Sequence, residues 1–153
     1  MAHTYTRLLV HVVFATKRRA PIITAEFKPA LYAYMVAIFK NHDCFVHAID
    51  GVADHCHVLI DLPARFALAD VVRKVKANSS KTFRENYPEV GFGWQRGYGA
   101  FSLSAGHLQQ VREYVLGQEE HHREHSLNEE LERLLKIHGF VGDPEFIEGV
   151  GDE

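Results

Sequence analysis

Two histidines separated by a single residue stand in the stretch Asp54-His55-Cys56-His57-Val58-Leu59-Ile60. In an extended strand, side chains two apart share a face, so both imidazoles point one way and Cys56 points the other. Cys56, Val58 and Ile60 would then fill a core, leaving His55 and His57 on the open face of a sheet. Two adjacent imidazoles are half of a divalent-metal site. In a chain with 11 histidines, an ordinary pair of surface histidines reads equally well from these residues alone. Cys44 and His47 raise a zinc alternative. Their odd spacing sends them to opposite faces of a regular strand, so without a bulge at most one could join the pair.

A second constellation lies in Val111-Arg112-Glu113-Tyr114-Val115-Leu116-Gly117-Gln118-Glu119-Glu120-His121-His122. Tyr114 and Gln118 are four apart and stack on one face of a helix, with His121 one turn further along. A neutral amide oxygen can complete a metal site begun by two imidazoles. A tyrosine beside it can attack a phosphorus centre that the metal polarises. His121 and His122 are candidates for the surroundings of such an ion. The plain alternative for Tyr114 is packing, the usual role of a half-buried helical tyrosine. Gly117 costs such a helix about 1 kcal/mol relative to Ala.

The elements that must carry these residues are legible from periodicity. Residues 5–14 read as a strand rich in β-branched and aromatic side chains. A basic turn follows, and Thr24 can cap a helix over residues 24–41. Strands are expected at 45–50 and 55–62, with Gly51 among the turn residues between them. A second helix is expected over 67–86, a loop around 88–99, a short strand at 98–104 and a third helix over 105–125. A fourth helix opens with capping-box spacing at Ser126-Leu127-Asn128-Glu129 and stops at Gly139. The order β-α-β-β-α-β plus C-terminal helices predicts an α+β, ferredoxin-like (RRM-like) antiparallel sheet. Two helices would cover one of its faces, and the tyrosine helix would lie near the other. Residues 1–140 are expected to form one catalytic domain and 141–153 a loose acidic tail.

The 153 residues are 46% hydrophobic, enough for one real core, and no apolar run approaches a membrane span. The two cysteines make a poor disulfide framework, and the N-terminus has no leader pattern, so a cytoplasmic protein is expected. The net charge of −3 is unevenly spread. Residues 1–118 hold 14 Lys/Arg against 9 Asp/Glu, whereas 119–153 hold 3 against 11. The body is therefore basic, as a phosphate binder would be, although a merely solvated surface fits the charges too.

Taken together, HVVFATKRR, DHCHVLI, VVRKVKANSSKTFRE, WQRGYGAFSLS and VREYVLGQEEHH, in that order and spacing, resemble one known family. They resemble the single-tyrosine transposases of the histidine–hydrophobic–histidine (HUH) superfamily, the IS200-like group that mobilises the smallest bacterial and archaeal insertion sequences. The resemblance implies that Tyr114 is the nucleophile and that His55, His57 and Gln118 hold Mg²⁺ or Mn²⁺. It implies that the tyrosine joins the 5′ phosphate of the cut strand and frees a 3′ hydroxyl. It further implies a homodimer with sheets paired edge to edge, often with one subunit's tyrosine helix completing the other's metal site. The substrate it implies is single-stranded DNA carrying hairpins. One departure is Cys56, where the family usually has an aliphatic residue; a buried cysteine is a small hydrophobe and fits.

DNA contacts are expected from Arg73, Lys74, Lys76, Ser79, Lys81 and Arg84 on the second helix, residue types that grip phosphate without reading bases. Lys17, Arg18 and Arg19 form a second candidate patch. Trp94 and Tyr98 could stack on unpaired bases, while Phe101 has the parity of a core residue. Two rival functions share this scaffold. One is a domesticated nuclease acting on host repeats by the same chemistry. The other is a non-catalytic binding module for single-stranded nucleic acid.

Overall fold

The computed structural model describes residues 3–140; the tail expected at 141–153 lies outside the described residues. Four strands are present among the described residues: β1 (Leu9–Ala15), β2 (Phe45–Val52), β3 (His55–Asp61) and β4 (Gly99–Ser102). They form one antiparallel sheet in the order β2-β3-β1-β4. Helices α1 (Lys28–Asn41) and α2 (Leu68–Asn86) follow β1 and β3, and α3 (Leu108–Leu116), α4 (Gln118–Glu124) and α5 (Leu127–Ile137) follow β4. This is the expected ferredoxin-like order with C-terminal helices added.

The two faces of the sheet divide the side chains by parity. Val12 and Phe14 of β1 join Cys56, Val58 and Ile60 of β3 in the core beneath α1 and α2. There Leu31 and Met35 of α1 meet Val71, Val72 and Val75 of α2. The opposite face is not open. Val13, Ala15 and Phe101 are covered by Leu127 and Leu131 of α5, and Ala48 and Leu59 by Val115 of α3. His55 and His57 are consequently fully buried, against the expectation of an exposed pair. The apolar stripe of α5 needs a partner surface, and this face supplies it.

Other departures have local causes. β1 begins at Leu9, and Tyr5 is left almost fully exposed. Thr24 does accept a hydrogen bond, from the Phe27 amide at 3.2 Å, but this closes a turn that precedes α1. Gly51 lies inside β2, opposite Cys56, and the hairpin turn comes later. A Cβ there would sit 2.2 Å from the His55 carbonyl oxygen and 2.8 Å from the Cys56 Cα, so the close approach of the β3 backbone demands glycine. The helix expected over 105–125 breaks at Gly117, which separates α3 from α4 and is preceded by a 3₁₀ turn at Ala105–His107. The Gly117 amide bonds back to Glu113 and Tyr114, ending α3 there. As expected, the Ser126 hydroxyl accepts from the Glu129 amide at 3.2 Å, and the chain turns at Gly139 with φ +80°.

A candidate metal centre beside Tyr114

β3 delivers His55 and His57 to the covered face of the sheet, and neighbouring groups fix how each ring is turned. His55 Nδ1 lies 2.7 Å from the Asp54 carboxylate. His122 of α4 places its Nδ1 2.8 Å from the carbonyl of His125. Carboxylate and carbonyl oxygens only accept, so both Nδ1 atoms carry a proton, and each Nε2 presents a lone pair when its ring is neutral. Those two Nε2 atoms face each other at 3.0 Å. His57 Nδ1 meets Nε2 of the buried His11 at 2.7 Å, with the rings stacked at 5.0 Å. A cation on His57 Nε2 requires the proton on Nδ1, donated to His11.

Into this group α5 brings Glu130, whose side chain is fully buried. Its Oε1 lies 2.7 Å from His57 Nε2, 3.1 Å from His122 Nε2 and 3.3 Å from His55 Nε2. One ligand atom each from His55, His57, His122 and Glu130 lies within 4.8 Å of the others. Three imidazole nitrogens and one carboxylate oxygen converging on one point is a donor set that fits a divalent transition-metal ion. The other oxygen, Oε2, accepts a short hydrogen bond from the Tyr114 hydroxyl, and His121 Nε2 approaches it to 3.2 Å without hydrogen-bond alignment.

The electrostatics follow from this packing. Burial opposes the Glu130 anion, but hydrogen bonds from His122, His55 and His57 outweigh it and hold the carboxyl well below the usual range. Burial and then the Glu130 charge push the Tyr114 phenol above its ordinary value, with Gln118 pulling the other way. Burial lowers His57 to about 4 despite Glu130. Burial also opposes a charged His55, but its hydrogen bonds with Asp54 and Glu130 raise it.

Of the residues expected in the site, Tyr114, His55 and His57 come together within one chain. The Tyr114 ring centroid is 5.8 Å from that of His57. Gln118 is buried at the start of α4 and its amide donates to the Tyr114 carbonyl at 3.2 Å. Its Oε1 is buried without a hydrogen-bond partner. Of the two histidines expected around such an ion, His121 lies beside the cluster and His122 within it. The zinc alternative does not form among the described residues: Cys44 is in the core under α1 and α2, and the β2 register shift falls at His47, away from the cluster.

Motif and spacing do not single out Glu130 or His11 and assign Asp54 no role. Glu130 did leave a signal, an acid inside the helical stripe Leu127, Leu131 and Leu134. His11 left a weaker one, having the parity of buried Val13 and Ala15.

The expected DNA-contact residues separate into two groups. Arg73, Lys74, Lys81, Arg84, Lys17 and Arg18 are exposed. Ser79 and Trp94 instead are core residues. The indole donates to the Ser79 hydroxyl at 2.9 Å and packs against Phe14 and Phe92, so neither faces solvent. Tyr98 is half-buried against the same core. Lys76 donates to the carbonyls of Gln95 and Gly97 at 2.6 and 2.7 Å, over the Phe14 ring. Arg19 donates to Asn128 of α5 at 2.7 Å and lies 3.7 Å from Asp54, tying the basic turn to α5 and to the β2–β3 turn. Among the described residues no helix is long and apolar enough to cross a membrane.

A cavity of about 550 Å³ opens beside Tyr114, between β4, α3 and α5, lined by His11, Phe101, Leu103, Arg133 and Leu134 among others. The arrangement is thus a tyrosine hydroxyl next to a buried ligand cluster and an adjoining cleft.

Comparison with known proteins agrees with this geometry. Residues 4–118 match the family model described as "Transposase IS200 like". The chain is 25% identical over 104 residues to the transposase for insertion sequence element IS200 of Salmonella typhimurium, covering 64% of this chain and 68% of that one. It is 22% identical over 118 residues to the ISDra2 transposase TnpA of Deinococcus radiodurans, covering 73% and 84%. In fold it is similar to a crystal structure from Deinococcus radiodurans R1, with a TM-score of 0.63, 21% identity and coverage of 77% and 96%. It is similar also to a REP-associated tyrosine transposase bound to a REP hairpin, with a TM-score of 0.56, 14% identity and coverage of 92% and 74%. With the family model spanning most of the chain over the elements that hold His55, His57 and Tyr114, the protein belongs to the IS200-like transposases.

Proposed function

We propose that this chain cleaves and rejoins single-stranded DNA at insertion-sequence ends through a 5′-phosphotyrosine formed on Tyr114. The observation that carries this reading is the Tyr114 hydroxyl bonded to one oxygen of Glu130 while the other oxygen sits among the Nε2 atoms of His55, His57 and His122. A packing tyrosine has no need of that company. The phenolic oxygen would attack the scissile phosphorus, forming the Tyr–O–P bond as the bond to the 3′ oxygen breaks. The phenol proton has an acceptor in place at Glu130 Oε2, and the departing oxygen takes a proton from solvent to become the 3′ hydroxyl. A divalent cation, Mg²⁺ or Mn²⁺, held by His55, His57 and Gln118 would supply polarisation of a phosphoryl oxygen. Because the phosphodiester energy is kept in the tyrosyl ester, the reverse attack rejoins DNA without a nucleotide cofactor.

The exposed cations of α2, Arg73, Lys74, Lys81 and Arg84, with Lys17 and Arg18, would bind the phosphates of a hairpin stem. A homodimer paired through sheet edges and a cytoplasmic location belong to the same proposal. A second reading, action on repeats of the host, is favoured by the likeness to the REP-hairpin complex, which extends over 92% of this chain.

The test uses single-stranded oligonucleotides from both flanks of the gene, labelled at the 3′ end, with parent and Tyr114→Phe protein. A denaturant-resistant protein–DNA band that needs both Tyr114 and divalent metal is expected. Equal cleavage by the Phe variant would sink the phosphotyrosine mechanism. Cleavage undiminished in chelator would remove the role of the metal.

A further inference from the structure

We propose that His122 and Glu130 are themselves ligands of the divalent cation, with Glu130 holding the cation by Oε1 and the Tyr114 phenol by Oε2. The inference rests on the metal-dependent reading of the site given above. It adds two ligands from α4 and α5, a part of the chain that lies beyond the family-matched residues 4–118.

Three observations carry it. The first is the facing pair of nitrogens. His55 and His122 each commit the Nδ1 proton to an oxygen, so the two Nε2 atoms face each other across 3.0 Å, each with a lone pair when its ring is neutral. Such a contact is favourable only with a cation, a proton or a metal ion, between or beside the two nitrogens, and a metal ion serves Glu130 as well. Metal-bound histidines characteristically show this arrangement, with Nδ1 donating to a carboxylate or carbonyl and Nε2 left for the ion.

The second is the placement of Glu130. A carboxylate with no solvent exposure needs compensating positive charge. Its Oε1 lies within 3.3 Å of three Nε2 atoms, so the ligand atoms of all four groups converge on one small volume. The third is that this position does not depend on the ligand cluster for its support. Leu127 and Leu131 pack on Val13, Ala15 and Phe101, Ser126 caps the helix, and Asn128 accepts from Arg19. Glu130 is therefore carried to the histidines on an independently seated helix, as a built site requires. The bridging carboxylate would also set the separation of nucleophile and cation, since both are fastened to the same two oxygens.

Mn²⁺ binding to the full-length chain tests the proposal without recourse to activity. The parent is expected to bind one Mn²⁺ with hyperfine coupling to three imidazole nitrogens. His122→Ala should reduce that to two and weaken binding at least about tenfold. Glu130→Gln, nearly isosteric, should weaken binding by a similar factor while leaving the nitrogen count at three. Melting curves in chelator check that each variant folds; if Glu130→Gln does not, Glu130→Asp, which keeps the charge but shortens the reach, replaces it. Three nitrogens in His122→Ala, or parent-like affinity in the Glu130 variant, would overturn the assignment and leave Glu130 as a partner of Tyr114 only. A parent chain that binds no Mn²⁺ would overturn it as well. The Tyr114 adduct assay then reports separately whether the tyrosine chemistry stands.

Discussion

His57 turns its Nδ1 toward Nε2 of His11 on the neighbouring strand, at 2.7 Å, so that its own Nε2 points at the ligand cluster. Metal-bound histidines depend on such partners for ring orientation and tautomer. His11→Leu, which removes the acceptor, is expected to weaken Mn²⁺ binding about 10–100-fold. His11→Gln, whose amide oxygen can still accept, should recover most of that loss. Calorimetric titration of the two variants separates orientation from packing, because a packing effect would hurt both alike.

Trp94 fills the core beside Phe14 and Phe92 and is bonded to Ser79. Trp94→Ala should therefore cost about 3–5 kcal/mol in urea unfolding, the range for removing a large buried aromatic. A change under about 0.5 kcal/mol, normal for an exposed base-stacking residue, would contradict the core placement.

The exposed Lys81 and Arg84 predict a different signature. Replacing both by alanine should lower affinity for a hairpin stem and leave the melting temperature nearly unchanged. If each contacts one phosphate, the slope of log K against log salt should shrink by about 0.9 per residue lost. An unchanged slope would place the stem on another surface.

Lys76 titrates in a partly buried position, where burial lowers its ammonium to about 8, against a small opposing effect of Cys56. The folded value lies below that of the unfolded chain, so between about pH 8 and 10.5 the unfolded state binds more protons. Stability contributed at this position is therefore lowest at neutral pH and rises through that window. Unfolding free energies of parent minus Lys76→Met should drift upward by about 1–2 kcal/mol over it, discounted for solvent screening. A flat or falling difference would show that the carbonyls of Gln95 and Gly97 hold the ammonium charged.

Local pattern carried much of this fold. Strand parity separated Cys56, Val58 and Ile60 from His55 and His57 because alternation is a property of the extended backbone alone. The Ser126 cap and the Gly139 stop were legible for the same reason, since each is decided within a few residues. The break at Gly117 was visible only as a helix cost. Whether a glycine bends or merely weakens a helix depends on what each half packs against, which the fold as a whole decides.

The expected DNA-contact residues were the least legible group. Composition marked Lys76, Ser79, Arg19 and Trp94 as DNA contacts, yet each is used inside the molecule. A side chain able to contact phosphate can equally bond a carbonyl or a hydroxyl, and sequence does not say which partner folding brings near.

By itself the sequence determined the strand order, the facing of the histidine pair, the tyrosine helix and, through the motif series, the resemblance to IS200-like transposases. These are short-range regularities, set by backbone geometry and by residues close in the chain. Only the tertiary structure decided that the histidine face is covered, that His122 points in, and that Glu130 stands between the histidines and Tyr114. Glu130 and His57 are 73 residues apart, and their meeting follows from how α5 buries its apolar stripe on the sheet. Such a contact is selected by the total burial the chain can achieve, a quantity that belongs to the whole fold and to no local pattern.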